Sequence, residues 1–277
     1  MIAREGQQLG NYHLLRLLGR GDLSEVYLGE HVYLKTQAAI KVLQMQLAED
    51  ELESFLAEAR LIAGLVHPHI IRVLDFGVEE KTPFLILSYA PNGTLRQRHP
   101  SGTPLPVGTM LSYVEQVSTA LQYAHEKKLI HRNVRPENML LGSGNEVLLS
   151  DFGMALIAQT SYQKTQKIVG TMTYMAPEQI QGKPEPASDQ YALGIVVYEW
   201  LCGSPPFQGS AQEIANQHLH VSPPPLQDKV ATMTPEIEEV VQLALAKDPK
   251  RRFGSMKAFS NALEQACQSE IPTIRAQ

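Results

Sequence analysis

The sequence predicts an α+β fold in two parts, a small antiparallel sheet carrying one main helix and then a larger, mainly helical part. Three observations predict it. From residue 12 to residue 43, β-branched and apolar residues run in short stretches broken by glycines, the pattern of strands joined by tight turns. Between residues 50 and 66, Leu52, Phe55, Leu56, Ala59, Ile62, Ala63 and Val66 recur at intervals of three and four, which is the period of an amphipathic helix. From Asp189 onward, apolar-periodic stretches are separated by proline-rich connections such as VSPPPLQD, which cannot continue a helix.

The elements follow in order. Strands are expected at Tyr12–Arg20, 25–31 and Gln37–Leu43, the first ending at GRGDLSEV, where Gly19 and Gly21 permit backbone geometry that other residues resist. After the helix over 50–66, HPHI marks a turn, and strands are expected at 72–79 and 83–89. FLILSYA then opens into Pro-Asn-Gly, a boundary near Ala90. A helix over 107–127 has Val107, Met110, Leu111, Val114, Val117, Leu121 and Ala124 on one apolar face. Short strands at Met139–Leu141 and 146–149 flank the turn GSGN. A polar loop, AQTSYQKTQ, leads to GTMTYMAPE, and helices continue to about Cys267. The division is an N-terminal extension at 1–11, the sheet part at 12–89, the helical part at 90–267 and a frayed tail at 268–277.

With 277 residues, 43% of them hydrophobic, the chain can bury one large or two small cores without staples. A net charge of -5 with no basic block argues against nucleic acid as a partner. Lys247, Lys250, Arg251 and Arg252 form the densest basic cluster, read as a solvated turn with one structural ion pair. Cys202 and Cys267, the first in an apolar run, make no disulfide framework and suit a reducing, cytoplasmic setting. MIAREGQQLG lacks the apolar core of a signal peptide. The apolar run at 191–201 is about half the length a bilayer needs, so it reads as a buried helix and no membrane segment is expected.

Chemistry concentrates in a few positions. Lys41, between Ile40 and Val42, points to the opposite face of its strand from them, so alternation alone would leave it on an open surface. Glu58 projects from the apolar stripe of the helix or its edge and wants a cation, for which Lys41 is the candidate. The stretch HRNVRPENMLLGSGNEVLLSDFG sets Arg132, Asn133, Arg135, Asn138 and Asp151 at fixed spacings.

GRGDLSEV, AAIK, the helix with Glu58, HRNVRPEN, DFG, APE and DPKRRFG, in this order, resemble the motifs of a eukaryotic-type serine/threonine protein kinase domain of the compact bacterial kind. The resemblance spans residue 12 to about residue 263. It implies a bilobal protein-kinase-like fold, Mg·ATP as ligand and a protein hydroxyl or signalling partner as its target. Under it Lys41 holds the α- and β-phosphates and Glu58 holds Lys41. Gly19, Gly21 and Ser24 form the phosphate loop. Val26, Ala39 and Leu140 sandwich adenine, Leu87 is the gatekeeper, and Ser88 to Ala90 are the hinge. Asn138 and Asp151 bind magnesium. Arg132 is the ligand for an activation-segment phosphate, on Thr165 first or Thr160 second. Thr171 faces the catalytic loop. Ile62, Leu74, His131 and Phe152 match a stacked column, Asp189 anchors the His131 loop, and Glu178 pairs with Arg252.

Three positions depart from the family. Asn133 stands where an aspartate accepts the proton of the attacking hydroxyl, and an amide is no base. Arg135 replaces the lysine that neutralises the transferred phosphoryl, and Ser24 replaces the third loop glycine. The reading is a Mg·ATP-binding kinase domain with reduced transfer; the alternative is an ATP-binding pseudokinase acting as a signalling scaffold.

Overall fold

The computed structural model describes residues 4–21, 24–47, 49–152 and 172–268. They divide into two compact units, a sheet unit of residues 4–92 with 141–152 and a helical unit of residues 93–140 with 172–268.

The sheet unit holds β1 (Gln8–Leu9), β2 (Tyr12–Arg20), β3 (Ser24–His31), β4 (Gln37–Leu43), β5 (Val73–Glu79) and β6 (Thr82–Ser88), antiparallel in the order β1-β2-β3-β4-β6-β5. Alternation gives its two faces different tasks. On one, Leu14, Tyr27, Ala38, Ile40, Val42, Phe84 and Ile86 form a buried core. Gly29 belongs to the packing there, since a Cβ on it would lie 2.7 Å from the Ile40 side chain. On the other, the register pairs Val26 with Lys41, Lys41 with Leu85, Leu28 with Ala39 and Ala39 with Leu87. Directly opposed residues share a face, so Val26, Ala39, Lys41 and Leu87 lie on one side of the sheet.

The single long helix of this unit, α1 (Glu49–Ala63), buries Phe55, Ala59 and Ile62. It ends three residues before the apolar period does. The Leu65 amide bonds back to the Ile62 carbonyl at 3.0 Å around Gly64, and Val66 emerges 62% exposed. Leu74 is a second correction. It is 48% exposed, while Val73, 8% exposed, points inward and lines a small cavity with Ile62, Leu85 and Phe152. A register shift between Val73 and Asp75 marks the irregularity that hid this phase. The short strand β8 (Val147–Leu149) is held by the Leu149 amide on the His69 carbonyl (2.9 Å) and the Ile71 amide on the Leu149 carbonyl (3.0 Å).

The helical unit contains α2 (Leu95–Arg98), α3 (Val107–Glu126), the strand β7 (Met139–Leu141), which ends on the first residue of the sheet unit's second segment, then α4 (Pro177–Ile180), α5 (Pro186–Cys202), α6 (Ala211–His220), α7 (Pro235–Ala244) and α8 (Met256–Gln268). The apolar run at 191–201 is the middle of α5, buried on every side from Ser188 to Leu201. Gly203, at φ 84°, ends it in the left-handed conformation that glycine adopts without penalty. Of the expected α3 stripe, Met110, Val114, Val117, Leu121 and Ala124 are fully buried and Val107 and Leu111 half-buried, and α3 packs against α5 and α8. Burial of Leu121 alone is worth about 2 kcal/mol. Among the described residues no helix is long and apolar enough to cross a membrane.

Candidate active site

In the sheet unit, Lys41 is 4% exposed, and its ammonium meets Asp151 Oδ1 at 2.6 Å. The expectation had named Glu58 as its partner; Glu58 sits half-buried on α1, and the contact to Asp151 went unforeseen. Asp151 follows β8 at φ 68°, a left-handed conformation that aspartate tolerates better than most residues. Its side chain is 25% exposed, so it keeps access to solvent. Val26, Ala39 and Leu87, on the same face as Lys41, are half-buried where their neighbours Tyr27, Ala38 and Ile86 are fully buried. Partly open aliphatic side chains beside a buried cation make a surface suited to a flat apolar ring bearing anions.

Beyond β6, the Ser88 amide donates to the Arg72 carbonyl at 2.9 Å, and Ser88 Oγ accepts from the Arg72 amide at 3.1 Å. Ala90 makes no backbone hydrogen bond among the described residues, leaving a donor and an acceptor for a ligand. At the glycine turn the Gly21 amide donates to the Ser24 carbonyl at 2.8 Å, and Ser24 is 7% exposed. Gly19 and Gly21 do not use the left-handed freedom that the sequence suggested. Neither has a positive φ, and an added Cβ would meet nothing within 4 Å at Gly19 and nothing closer than 3.7 Å at Gly21. What they offer is bare backbone with open space beside it.

In the helical unit the loop at 131–138 hangs on one carboxylate. Asp189, in the first turn of α5 and 1% exposed, accepts from the His131 amide (2.9 Å), the Arg132 amide (2.7 Å) and His125 Nε2 (2.7 Å). Arg132 has φ 65°, costly for a bulky residue, at about 1–3 kcal/mol. Asp189 on its amide and Gln179 Nε2 on its carbonyl (2.7 Å) offset that strain. The Asn133 amide donates to His131 Nδ1 at 3.2 Å, and Asn138 Nδ2 donates to the Asn133 carbonyl at 2.8 Å. With the nitrogen of its amide committed to the chain, Asn138 has oxygen as its end for a hard cation, and Asp151 is likewise an oxygen donor. That donor chemistry suits Mg²⁺.

Arg132 Nε is buried with no hydrogen-bond partner among the described residues, an arrangement that asks for an anion. Thr160, Thr165, Thr171 and Gly153 lie outside the described residues. Leu140 is half-buried on β7 and bridges to Thr94. Glu178 and Arg252 pair through both carboxylate oxygens, at 2.7 and 2.8 Å. Arg252, read as part of a basic turn, is buried, and burial opposes but does not overcome the guanidinium's pull on Glu178, whose carboxyl stays below the ordinary range.

The protein kinase domain model matches residues 12–265. The chain belongs to the protein kinase family. Among curated relatives this kinase domain is 36% identical to the serine/threonine-protein kinase Pkn1 of Myxococcus xanthus over 96% of the chain and 40% of that protein. It is 38% identical to PknF of Mycobacterium tuberculosis over 95% of the chain and 58% of that protein. With PrkC of Bacillus subtilis the identity is 33% over 88% of the chain and 38% of the relative. The chain thus spans about half the length of these kinases or less. It carries the bilobal kinase fold, a curled antiparallel sheet in one unit and helices in the other.

One feature of this kinase domain escaped sequence reasoning. Arg96, after α2 begins, donates Nη1 and Nη2 to the two oxygens of Glu199 (2.7 and 3.0 Å) and Nε to Glu137 Oε1 (2.9 Å). The Glu199 carboxylate also accepts from Ser101 Oγ (2.7 Å) and the Tyr174 hydroxyl (2.6 Å). Residues 41 and 103 positions from Arg96 cannot be paired by spacing. The only local signal was a glutamate inside RPEN beside a cation.

Proposed function

We propose that this serine/threonine protein kinase domain binds Mg·ATP and transfers the γ-phosphoryl to a protein hydroxyl, at a rate lowered by Asn133. The observation that carries the reading is the buried Lys41 ammonium on Asp151, on the sheet face shared with half-open Val26, Ala39 and Leu87. In the sheet unit Lys41, steadied by Glu58, takes the α- and β-phosphates, the amides of the Gly19–Gly21–Ser24 loop cover them, and the backbone at Ser88 and Ala90 reads adenine. In the helical unit Leu140 packs on adenine and Arg135 faces the transferred phosphoryl. Asp151 and Asn138 are the magnesium ligands by chemistry and by place in the family pattern; the cation neutralises phosphate charge when bound.

Asn133 still presents an amide oxygen that can accept a hydrogen bond from a substrate hydroxyl and orient it. It cannot take the proton. Phosphoryl transfer depends mainly on positioning and charge neutralisation, so the missing base costs about 10²- to 10⁴-fold rather than everything. Arg132, with its buried Nε, is the ligand for a phosphate on Thr165 or Thr160. The second reading, a nucleotide-binding scaffold without turnover, draws on Asn133, Arg135 and Ser24 together, and it needs the same Mg·ATP binding.

Mg·ATP is therefore expected to raise the thermal unfolding midpoint of the purified chain, and Lys41→Ala to remove most of that rise. An unchanged midpoint in the parent chain, checked by calorimetry, sinks both readings.

A further inference from the structure

Arg135 replaces a lysine, and it is held in a way that no lysine could be. Its Nε donates to Glu137 Oε2 at 2.8 Å, and its guanidinium carbon lies 5.8 Å over the Tyr174 ring. Glu137 Oε1 is taken by Arg96 Nε, and Arg96 is fixed by its two bonds to Glu199. Glu199, 2% exposed, is fixed in turn by Tyr174 and Ser101. The series cation, carboxylate, cation, carboxylate runs from Arg135 to the wall of α5, and every link is a charge-assisted hydrogen bond, the strong kind. Burial works against ionisation of Glu137 and Glu199, yet Arg135 and Arg96 outweigh it and hold both carboxyls below their ordinary range. The links are thus charged at neutral pH.

We propose that Glu199, Arg96 and Glu137 are positioning residues that aim the guanidinium of Arg135 at the γ-phosphate. The proposal rests on the Mg·ATP reading above and deepens it. A guanidinium has five N–H donors in a rigid fork. The bond to Glu137 uses the one on the stem, Nε, and so fixes the plane in which the terminal nitrogens lie. A lysine ammonium is a single centre on a flexible stem and could not be oriented this way. Replacement of lysine by arginine at 135 and the buried carboxylate behind it are then two halves of one device. The plain structural alternative is that the network only packs α2 against α5.

The test needs no turnover, because ADP lacks the group that Arg135 would touch. Calorimetric Kd values for Mg·ATP and Mg·ADP are compared in the parent chain, Arg135→Ala, Glu137→Gln, Arg96→Met and Arg96→Lys. The parent is expected to favour ATP, and Arg135→Ala to lose about tenfold of that preference, the worth of one charged hydrogen bond. Glu137→Gln and Arg96→Met are expected to lose several-fold of the ATP preference with ADP affinity unchanged, and Arg96→Lys to recover part of it. A merely structural network would weaken both nucleotides together or neither, and that result overturns the proposal. So does an undiminished preference in Arg135→Ala. Binding of neither nucleotide by the folded parent chain removes the Mg·ATP reading first and the relay with it.

Discussion

Two aspartates, one in each unit, hold the groups that the proposed function uses, and they hold them differently. Asp151 in the sheet unit makes one short ion pair, to Lys41, with a quarter of its side chain open to solvent. Asp189 in the helical unit is buried and gathers three donors from His125, His131 and Arg132. The first is a contact open to solvent on one side; the second is scaffold, over-determined and closed. The family's departures fall beside the scaffold and not in it. Asn133 and Arg135 lie on a loop that Asp189, His131, Asn138 and Gln179 hold in place. Under the proposed reading, Asn133 takes away a proton acceptor while the hydrogen bonds around it stay in place.

The largest expected effect tests that statement directly. If the scaffold is intact, Asn133→Asp should raise phosphate transfer to a generic protein substrate, or to the chain itself, by about 10²- to 10⁴-fold. Equal rates in the two chains would mean that the geometry had decayed along with the base. A smaller effect separates the two kinds of ion pair by stability. Arg252→Leu strands Glu178 in the interior and is expected to cost about 3–5 kcal/mol. Without nucleotide, Lys41→Ala leaves an Asp151 that can turn to water, and it should cost about 1 kcal/mol. Denaturant titrations read both; similar losses in the two variants would erase the contrast between exchangeable contact and scaffold.

How much of this was legible in the sequence follows the same division. The limits of β2 and β4 could be read from apolar and β-branched stretches bounded by turn residues, and those of α3 from a period of three and four that it buries along one face. Lys41, Asp189 and the Glu178–Arg252 pair were reachable through the order of the motifs. Phase failed where the backbone is irregular: at Val73 and Leu74, beside a register shift, the inward residue was misassigned by one position. Val66 was drawn into α1 because period does not register a chain turning back at Gly64. Arg96 was invisible, since a cation three residues past the start of the helical unit gives no sign that it will meet carboxylates on two other elements. Side chains joined through three-dimensional closure alone leave no period to read.

A pH-dependent effect probes how closed the helical unit is. His218 is fully buried, with Nδ1 2.8 Å from the Tyr191 hydroxyl and Nε2 3.1 Å from the Thr173 carbonyl, so it ties α6 to α5 and to the segment before α4. Phe207 meets it edge-on, and the Lys247 ammonium stands 4.6 Å from the Phe207 ring centre and 3.5 Å from the Tyr191 hydroxyl, with the Arg252 guanidinium 4.8 Å from the Tyr191 ring centre. Burial, and after it the Lys247 charge, lowers the imidazole pKa to about 4. The unfolded chain, with the ordinary value of 6.5, therefore binds the extra proton first. The contribution of neutral His218 to stability is complete above pH 6.5 and is lost as pH falls from there towards 4. His218→Gln keeps polar atoms but cannot titrate. Denaturation followed by the fluorescence of Trp200, the single tryptophan, should show the stability gap between parent and variant narrowing by about 2 kcal/mol from pH 7 to pH 5. A gap that stays constant would show an imidazole that reaches water, and a helical unit less closed than its burial indicates.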